Sequence, residues 1–240
     1  MTIYAIGDIH GQFDGLLGAL DLIAADGGPD AEIVFLGDLV DRGPDSRGVI
    51  DHLMQGQAAG RRWHVLKGNH DRLFEGFVRA GLQYDPRIKS GLGWLHPRLG
   101  GAATLDSYGL ENVSDPGAQA DIQAARAAVP QTHVDFLGRL PLWHRHSDLL
   151  FVHAGILPRV VLEEQIEDDL IWIRDPFLSH IDPHPWLVVH GHTALDHPRH
   201  FGNRIDLDGG AGYGRPIHPA VFEGRDCWLL SEQGRVPLLP

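Results

Sequence analysis

The chain has a single cysteine, Cys227, among 240 residues. An intrachain disulfide is therefore excluded, and so is any cluster of thiolate ligands; this usage fits a reducing compartment. No basic segment opens the chain. Residues 1–6 are apolar or neutral and run directly into Gly7-Asp8, which does not read as a signal peptide. No apolar run approaches the roughly 20 residues needed to cross a bilayer, so no membrane association is expected and a cytoplasmic location is. Positive charge is also short: 20 Lys and Arg stand against 32 Asp and Glu, a formal net charge of -12. Nucleic-acid affinity comes mostly from Lys and Arg neutralising phosphates, so no nucleic-acid partner is expected, although a local basic pocket is compatible with the total. Internal repeats and low-complexity segments are lacking too.

What is present is enough apolar residue, 43%, to bury a core without staples, and a length that favours one domain. Short apolar, partly β-branched runs recur at residues 3–6, 33–36, 63–66, 149–152 and 187–189, each reading as a buried strand. Helical stripes lie between the first of them. Residues 13–25 carry Leu16, Leu17, Leu20 and Ile23, and residues 46–57 carry Val49, Ile50, Leu53 and Met54. Alternating strand and helix predicts a layered α/β fold whose sheets are covered by helices. The stretch from Arg72 to about Arg145 breaks this rhythm with Gly-rich loops and Pro86, Pro97, Pro116 and Pro130. It is expected to be a cap inserted over the core at about 77–130. Residues 205–207, 220–223 and 227–230 predict a terminal β meander.

Polar residues follow the apolar runs repeatedly. Gly7-Asp8-Ile9-His10-Gly11 follows the first, Gly37-Asp38-Leu39-Val40-Asp41-Arg42-Gly43 the second, and Gly68-Asn69-His70-Asp71 the third. Later runs lead to His153-Ala154-Gly155 and to His190-Gly191-His192-Thr193. Strand ends are where loops converge on a ligand crevice in open α/β sheets. Carboxylate, amide and imidazole donors without thiolates suit hard-to-borderline divalent metals. Asp8 and His10 are one residue apart, so in an extended segment both leave the same face. Any single loop is explained by helix capping or turn formation; the same phasing five times is not.

These blocks resemble the three amino-terminal blocks of PPP-type serine/threonine phosphoprotein phosphatases, within the calcineurin-like metallophosphoesterases. Phe151–Gly155, Trp172-Ile173-Arg174 and Gly191-His192-Thr193 resemble the later ones. The likeness runs from Ile3 to about Tyr213, is weakest over residues 77–130, and is greatest to the compact bacterial and phage members. It implies an α/β/β/α sandwich of mixed sheets with a helical cap. It also implies two divalent ions, manganese first, with iron, zinc or nickel accepted by the same donors. One ion would be held by Asp8, His10 and Asp38; the other by Asp38, Asn69, His153 and His192, with Asp38 bridging. His190 is expected in the core or behind the ligands. Ala194 stands where the wider superfamily often supplies a further His, so water is expected to complete the first site.

Two adjacent ions would activate a bridging hydroxide for in-line attack on phosphorus. Arg42 and Arg174 resemble the family's phosphate-binding arginines, with Asn69 beside them, and a planar fork grips two oxygens together. His70, oriented by Asp41, would protonate the leaving alkoxide. The expected substrates are phosphoserine and phosphothreonine in proteins or peptides, with small phosphomonoesters. The alternatives are symmetrical dinucleoside tetraphosphate hydrolysis and, more remotely, a non-catalytic metal- or phosphate-binding module. Asp41 tilts the expectation toward phosphoprotein, because tetraphosphatases of this type commonly carry Ala there.

Overall fold

The computed structural model describes residues 2–115 and 118–240; Met1 and Pro116, the latter one of the prolines of the expected cap, lie outside the described residues. The first three apolar runs form β1 (Thr2–Ile6), β2 (Ile33–Phe35) and β3 (Trp63–Val65). They pair in parallel, which demands crossover connections. α1 (Phe13–Gly27) and α2 (Ser46–Ala58) supply them. Asp45 caps α2 by accepting a hydrogen bond from the Gly48 amide at 2.7 Å, satisfying one of the free N–H groups of the first turn.

Four helices follow: α3 (Asn69–Ala80), α4 (Gly101–Ser107), α5 (Gln119–Ala128) and α6 (Gln131–Gly138). Next come β4 (Trp143–His146), β5 (Leu149–Val152), α7 (Glu167–Trp172), β6 (Leu187–His190), β7 (Arg199–His200) and β8 (Arg204–Asp206). The chain closes with β9 (Ala220–Glu223), β10 (Asp226–Ser231) and β11 (Gly234–Pro237). The expected strand at 205–207 starts one residue earlier, as β8, and pairs with β6 and β7 in the other sheet, so the terminal meander consists of β9, β10 and β11 and excludes it.

Among the described residues the strands form two mixed sheets, ordered β11-β10-β9-β1-β2-β3 and β4-β5-β6-β8-β7. Alternation along each strand assigns the layers. Ile3 and Ala5 of β1, with Val34 and Leu36, face Phe151, Val189 and Ile205 of the second sheet. Tyr4, Ile6, Ile33 and Phe35 point the other way, into α1, α2 and the helices between residues 69 and 138. On the far side of the second sheet, Leu150, Val152 and Val188 pack on α7 and Phe177. Burial on both faces is why the parallel strands read as continuous apolar runs. The layering is α/β/β/α, as the resemblance implies. Phe77, Trp94, Leu105 and Ile122, from the span expected as a cap, bury in the same cluster as Leu16 and Val49.

Candidate metal centre

Strands β1, β2 and β3 of one sheet and β5, β6 and β8 of the other each end in a polar loop. The five loops read from the sequence converge, and a sixth joins them: Asp206-Leu207-Asp208 after β8. The backbone at these loops is unusually tight. His10, Asp38, Asp41, Arg42 and His192 have φ of 48°, 49°, 74°, 69° and 67°, a left-handed region uncommon for residues other than glycine. Such strain persists only where the surroundings over-determine it, and it concentrates at functional sites. Gly191 has to be glycine, since a Cβ there would run into Asp8 Oδ1.

Asp38 sits between two groups of donors. Its Oδ2 lies 3.6 Å from His10 Nε2, which is 3.8 Å from Asp8 Oδ2. Its Oδ1 lies 3.4 Å from His153 Nε2, which is 2.9 Å from Asn69 Oδ1. The donors of Asp38, His153 and His192 all fall within 4.8 Å of one another. The Asp38 Oδ1 also accepts the His70 amide at 2.9 Å, at the positive amino end of α3. The Asp8 carboxylate accepts the His192 amide at 3.1 and 3.2 Å.

Three observations test whether divalent ions fit. His10 and His153 each hold Nδ1 2.9 Å from a backbone carbonyl, of Val40 and Leu36 respectively. Nδ1–H therefore donates and Nε2 keeps its lone pair for the cluster, the usual arrangement behind a ligating histidine. Buried His192 Nε2 has no hydrogen-bond partner among the described residues, a costly omission unless something binds it. Burial, then Asp208 and Asp38, push the Asp8 carboxyl well above the usual carboxylate range; burial, then Asp71, does the same to Asp38. Burial holds His10, His153 and His192 neutral, His153 down to about 3. Crowded carboxylates beside neutral imidazoles are the electrostatics that divalent cations relieve. The residues fit the group.

His70 lies beside this cluster. Its Nδ1 is 2.6 Å from Asp41 Oδ2 and its Nε2 is 3.1 Å from the Arg42 guanidinium. Arg42 also reaches His10 Nε2 at 2.7 Å and lies under the Tyr213 ring, 5.2 Å from its centroid. His10, Asp38, Arg42, Asn69, His70 and His192 line a cleft of about 1040 Å³, whose walls also include Arg87, Lys89, Trp172, Arg174 and Tyr213. Arg174 is exposed there and forms no ion pair among the described residues. Fully buried His190 holds Nε2 3.2 Å from Arg204 and stays outside the cleft.

Several supporting residues carry no local sequence signal. Trp94, within the span expected as a cap, donates Nε1–H to Asp41 Oδ2 at 2.8 Å, and Thr104 donates its hydroxyl to Oδ1 at 2.6 Å. Even so, burial pushes the Asp41 carboxyl up to about 7. Asp71 braces two loops, accepting the Leu39 amide at 2.9 Å and the Gly68 amide at 2.8 Å. A carboxylate within Gly68-Asn69-His70-Asp71 was in view, but its bracing role was not.

Comparison with known proteins gives four relevant likenesses. Residues 1–209 match the calcineurin-like phosphoesterase family model. A symmetrical bis(5'-nucleosyl)-tetraphosphatase of Janthinobacterium sp. is 33% identical over 70% of this chain, and the match spans 50% of its own length. The asymmetrical bis(5'-nucleosyl)-tetraphosphatase PrpE of Halalkalibacterium halodurans is 24% identical over 100% of this chain and 96% of its own. The crystal structure of a candidate diadenosine tetraphosphatase superposes with a TM-score of 0.67 at 22% identity, over 99% of this chain and 94% of that one, a likeness of fold. These curated relatives carry tetraphosphatase names, whereas the sequence reading put phosphoprotein first.

Proposed function

This chain belongs to the calcineurin-like phosphoesterases, and on that premise we propose that its cleft hydrolyses the polyphosphate bridge of dinucleoside tetraphosphates. The alternative raised by the sequence thus moves ahead of phosphoprotein hydrolysis. The observation that carries this reading is the cleft itself. It extends from the donor cluster to further cations at Lys89 and Arg174 and to the aromatic rings of Trp172 and Tyr213. A single phosphomonoester would engage Arg174 but leave Lys89 and the two rings unused. A chain of phosphates ending in nucleosides would engage both the cations and the rings, whose faces suit base stacking. The names of the curated relatives point the same way.

In this reading Asp8, His10 and Asp38 would hold one divalent ion, and Asp38, Asn69, His153 and His192 the other, with manganese the first expectation. When bound, such ions supply Lewis acidity toward a phosphoryl oxygen and toward the attacking water. Arg42 and Arg174 grip the equatorial oxygens, where charge spreads as the P–O bond breaks. His70, oriented through Nδ1 by Asp41, presents Nε2 to the leaving oxygen and hands it a proton. Burial, then Arg42 beside Nε2, holds the His70 ring well below the usual imidazole range, so a proton carried on Nε2 is readily released.

The phosphoprotein reading stays as the second because of the Asp41–His70 pair. A serine alkoxide needs a proton far more than a leaving nucleotide phosphate does, and the chain has a buried imidazole held in orientation by a carboxylate. Initial rates on diadenosine tetraphosphate and on a phosphoserine peptide, at equal manganese-loaded protein, separate the two. The dinucleotide is expected to be preferred by about 100-fold or more in kcat/KM, or about 2.7 kcal/mol. A preference for the peptide would reverse the assignment.

A further inference from the structure

Away from the cleft, the edge strand β3 of one sheet meets the edge strand β4 of the other. Glu32, just before β2, and His64 of β3 come from the first sheet; His144 and His146 come from β4. We propose that these side chains form a third metal site, a structural clip for a borderline divalent cation of the zinc class, which joins the two sheets at their open seam.

The geometry carries the assignment. One donor atom each from Glu32, His64 and His144 lies within 4.8 Å of the others. His64 Nε2 is 3.0 Å from Glu32 Oε1, and His146 Nδ1 is 3.9 Å from the same oxygen. Two ligands of a tetrahedral zinc, at bond lengths of about 2.0–2.2 Å, stand roughly 3.4 Å apart. His144 and His146 are two residues apart on a strand, so both leave one face. The Arg62 guanidinium takes Glu32 Oε2 at 3.3 Å, leaving Oε1 turned to the imidazoles.

Two further features argue against a mere hydrogen-bonded cluster. His144 Nε2 is buried with no hydrogen-bond partner among the described residues, which costs stability unless a ligand occupies it. The His64 and His144 rings stack at 3.8 Å and 21°. Two protonated rings so close would repel, and burial, then His64, pushes His144 down to about 4. Neutral imidazoles beside a single carboxylate are the ligand set of zinc rather than of calcium or magnesium. Turning the His64 ring brings its lone pair onto a shared ion, and at 34% side-chain exposure that ring has room to turn. An ion here would tether β4 to β2 and β3, whose strands otherwise share no ladder.

The full chain, saturated with zinc and dialysed against weak chelator, is analysed for bound metal. The wild type is expected to hold one equivalent more than the His64→Gln/His144→Gln chain. Zinc should also raise the Tm of the wild type by a few degrees more than that of the variant. Manganese-dependent hydrolysis should be the same in both, since neither residue touches the cleft. Glu32→Gln, which leaves both rings in place, should lose the same equivalent. Equal metal content in all three chains overturns the proposal, whatever the total. A failure of the cleft assignment would leave the difference between wild type and variant standing.

Discussion

At the scale of single residues, the chemistry proposed for the cleft turns on which nitrogen of His70 faces it. Because Nδ1 is held by Asp41 at 2.6 Å, Nε2 is left for the substrate. Replacing His70 by Asn is expected to cut turnover on an alkyl phosphate by about 10²–10⁴ with metal content unchanged. The loss on diadenosine tetraphosphate should be smaller, because its leaving phosphate is a weaker base. Equal rates for wild type and variant on the alkyl phosphate would remove His70 from the mechanism. Trp94 acts one step further back. Trp94→Phe deletes a donor to the buried Asp41 carboxylate, so about 1–3 kcal/mol of stability should be lost, together with part of the turnover. Chemical denaturation and steady-state rates measure both, and an unchanged chain would mean that Thr104 alone holds Asp41. The sequence could not point to Trp94 or Thr104. Their bonds to Asp41 span 53 and 63 residues, and nothing in the local pattern of either distinguishes a support from ordinary core. Asp8, His10, Asp38 and Asn69 were legible because each follows an apolar run within a few residues, which is local information.

At the scale of elements, the tight approach of loop to loop makes glycine placement decisive. Gly191→Ala would drive a Cβ into Asp8 Oδ1, displacing a candidate ligand, so bound metal should fall sharply by elemental analysis. Gly18, on the exposed face of α1, has open space around it; Gly18→Ala should keep its metal and gain about 0.5–1 kcal/mol. If both variants keep full metal, the close packing of the two loops is not required for binding. The first three strands and their crossover helices could be read because buried parallel strands are apolar on both faces. β4 could not: three of the four residues of Trp143-His144-Arg145-His146 are polar, and it is a strand only because it pairs with β5. The helices from 69 to 138 share the core of α1 and α2, a placement set by long-range packing that Gly- and Pro-rich composition hides.

At the scale of the whole molecule, the buried carboxylates set a pH dependence. A carboxyl whose folded pKa is raised binds its proton more readily in the folded chain than in the unfolded one. It therefore stabilises the fold at low pH, and that contribution is lost as pH rises through the raised value. Asp41 spans a window from its ordinary 3.8 to about 7, and Asp8, Asp38 and Asp208 are shifted in the same direction. These carboxyls therefore favour the metal-free chain near about pH 5 over about pH 8. His10, His153 and His192, lowered by burial, oppose them, since an imidazole kept neutral in the fold costs stability as pH falls below its ordinary 6.5. Metal binds the deprotonated cluster, so chelation should lower Tm more at about pH 8 than at about pH 5; calorimetry with and without chelator checks this. No helix among the described residues is long and apolar enough to cross a membrane. The central claim is that the cleft is a metal-dependent phosphoesterase site built on Asp38. Its most direct test is the hydrolysis of diadenosine tetraphosphate by wild type and Asp38→Asn, with manganese and after chelation. The predicted result is turnover by the manganese-loaded wild type alone, lost on chelation and restored by added metal. Hydrolysis that survives chelation, or an Asp38→Asn chain that works at the wild-type rate, would contradict it.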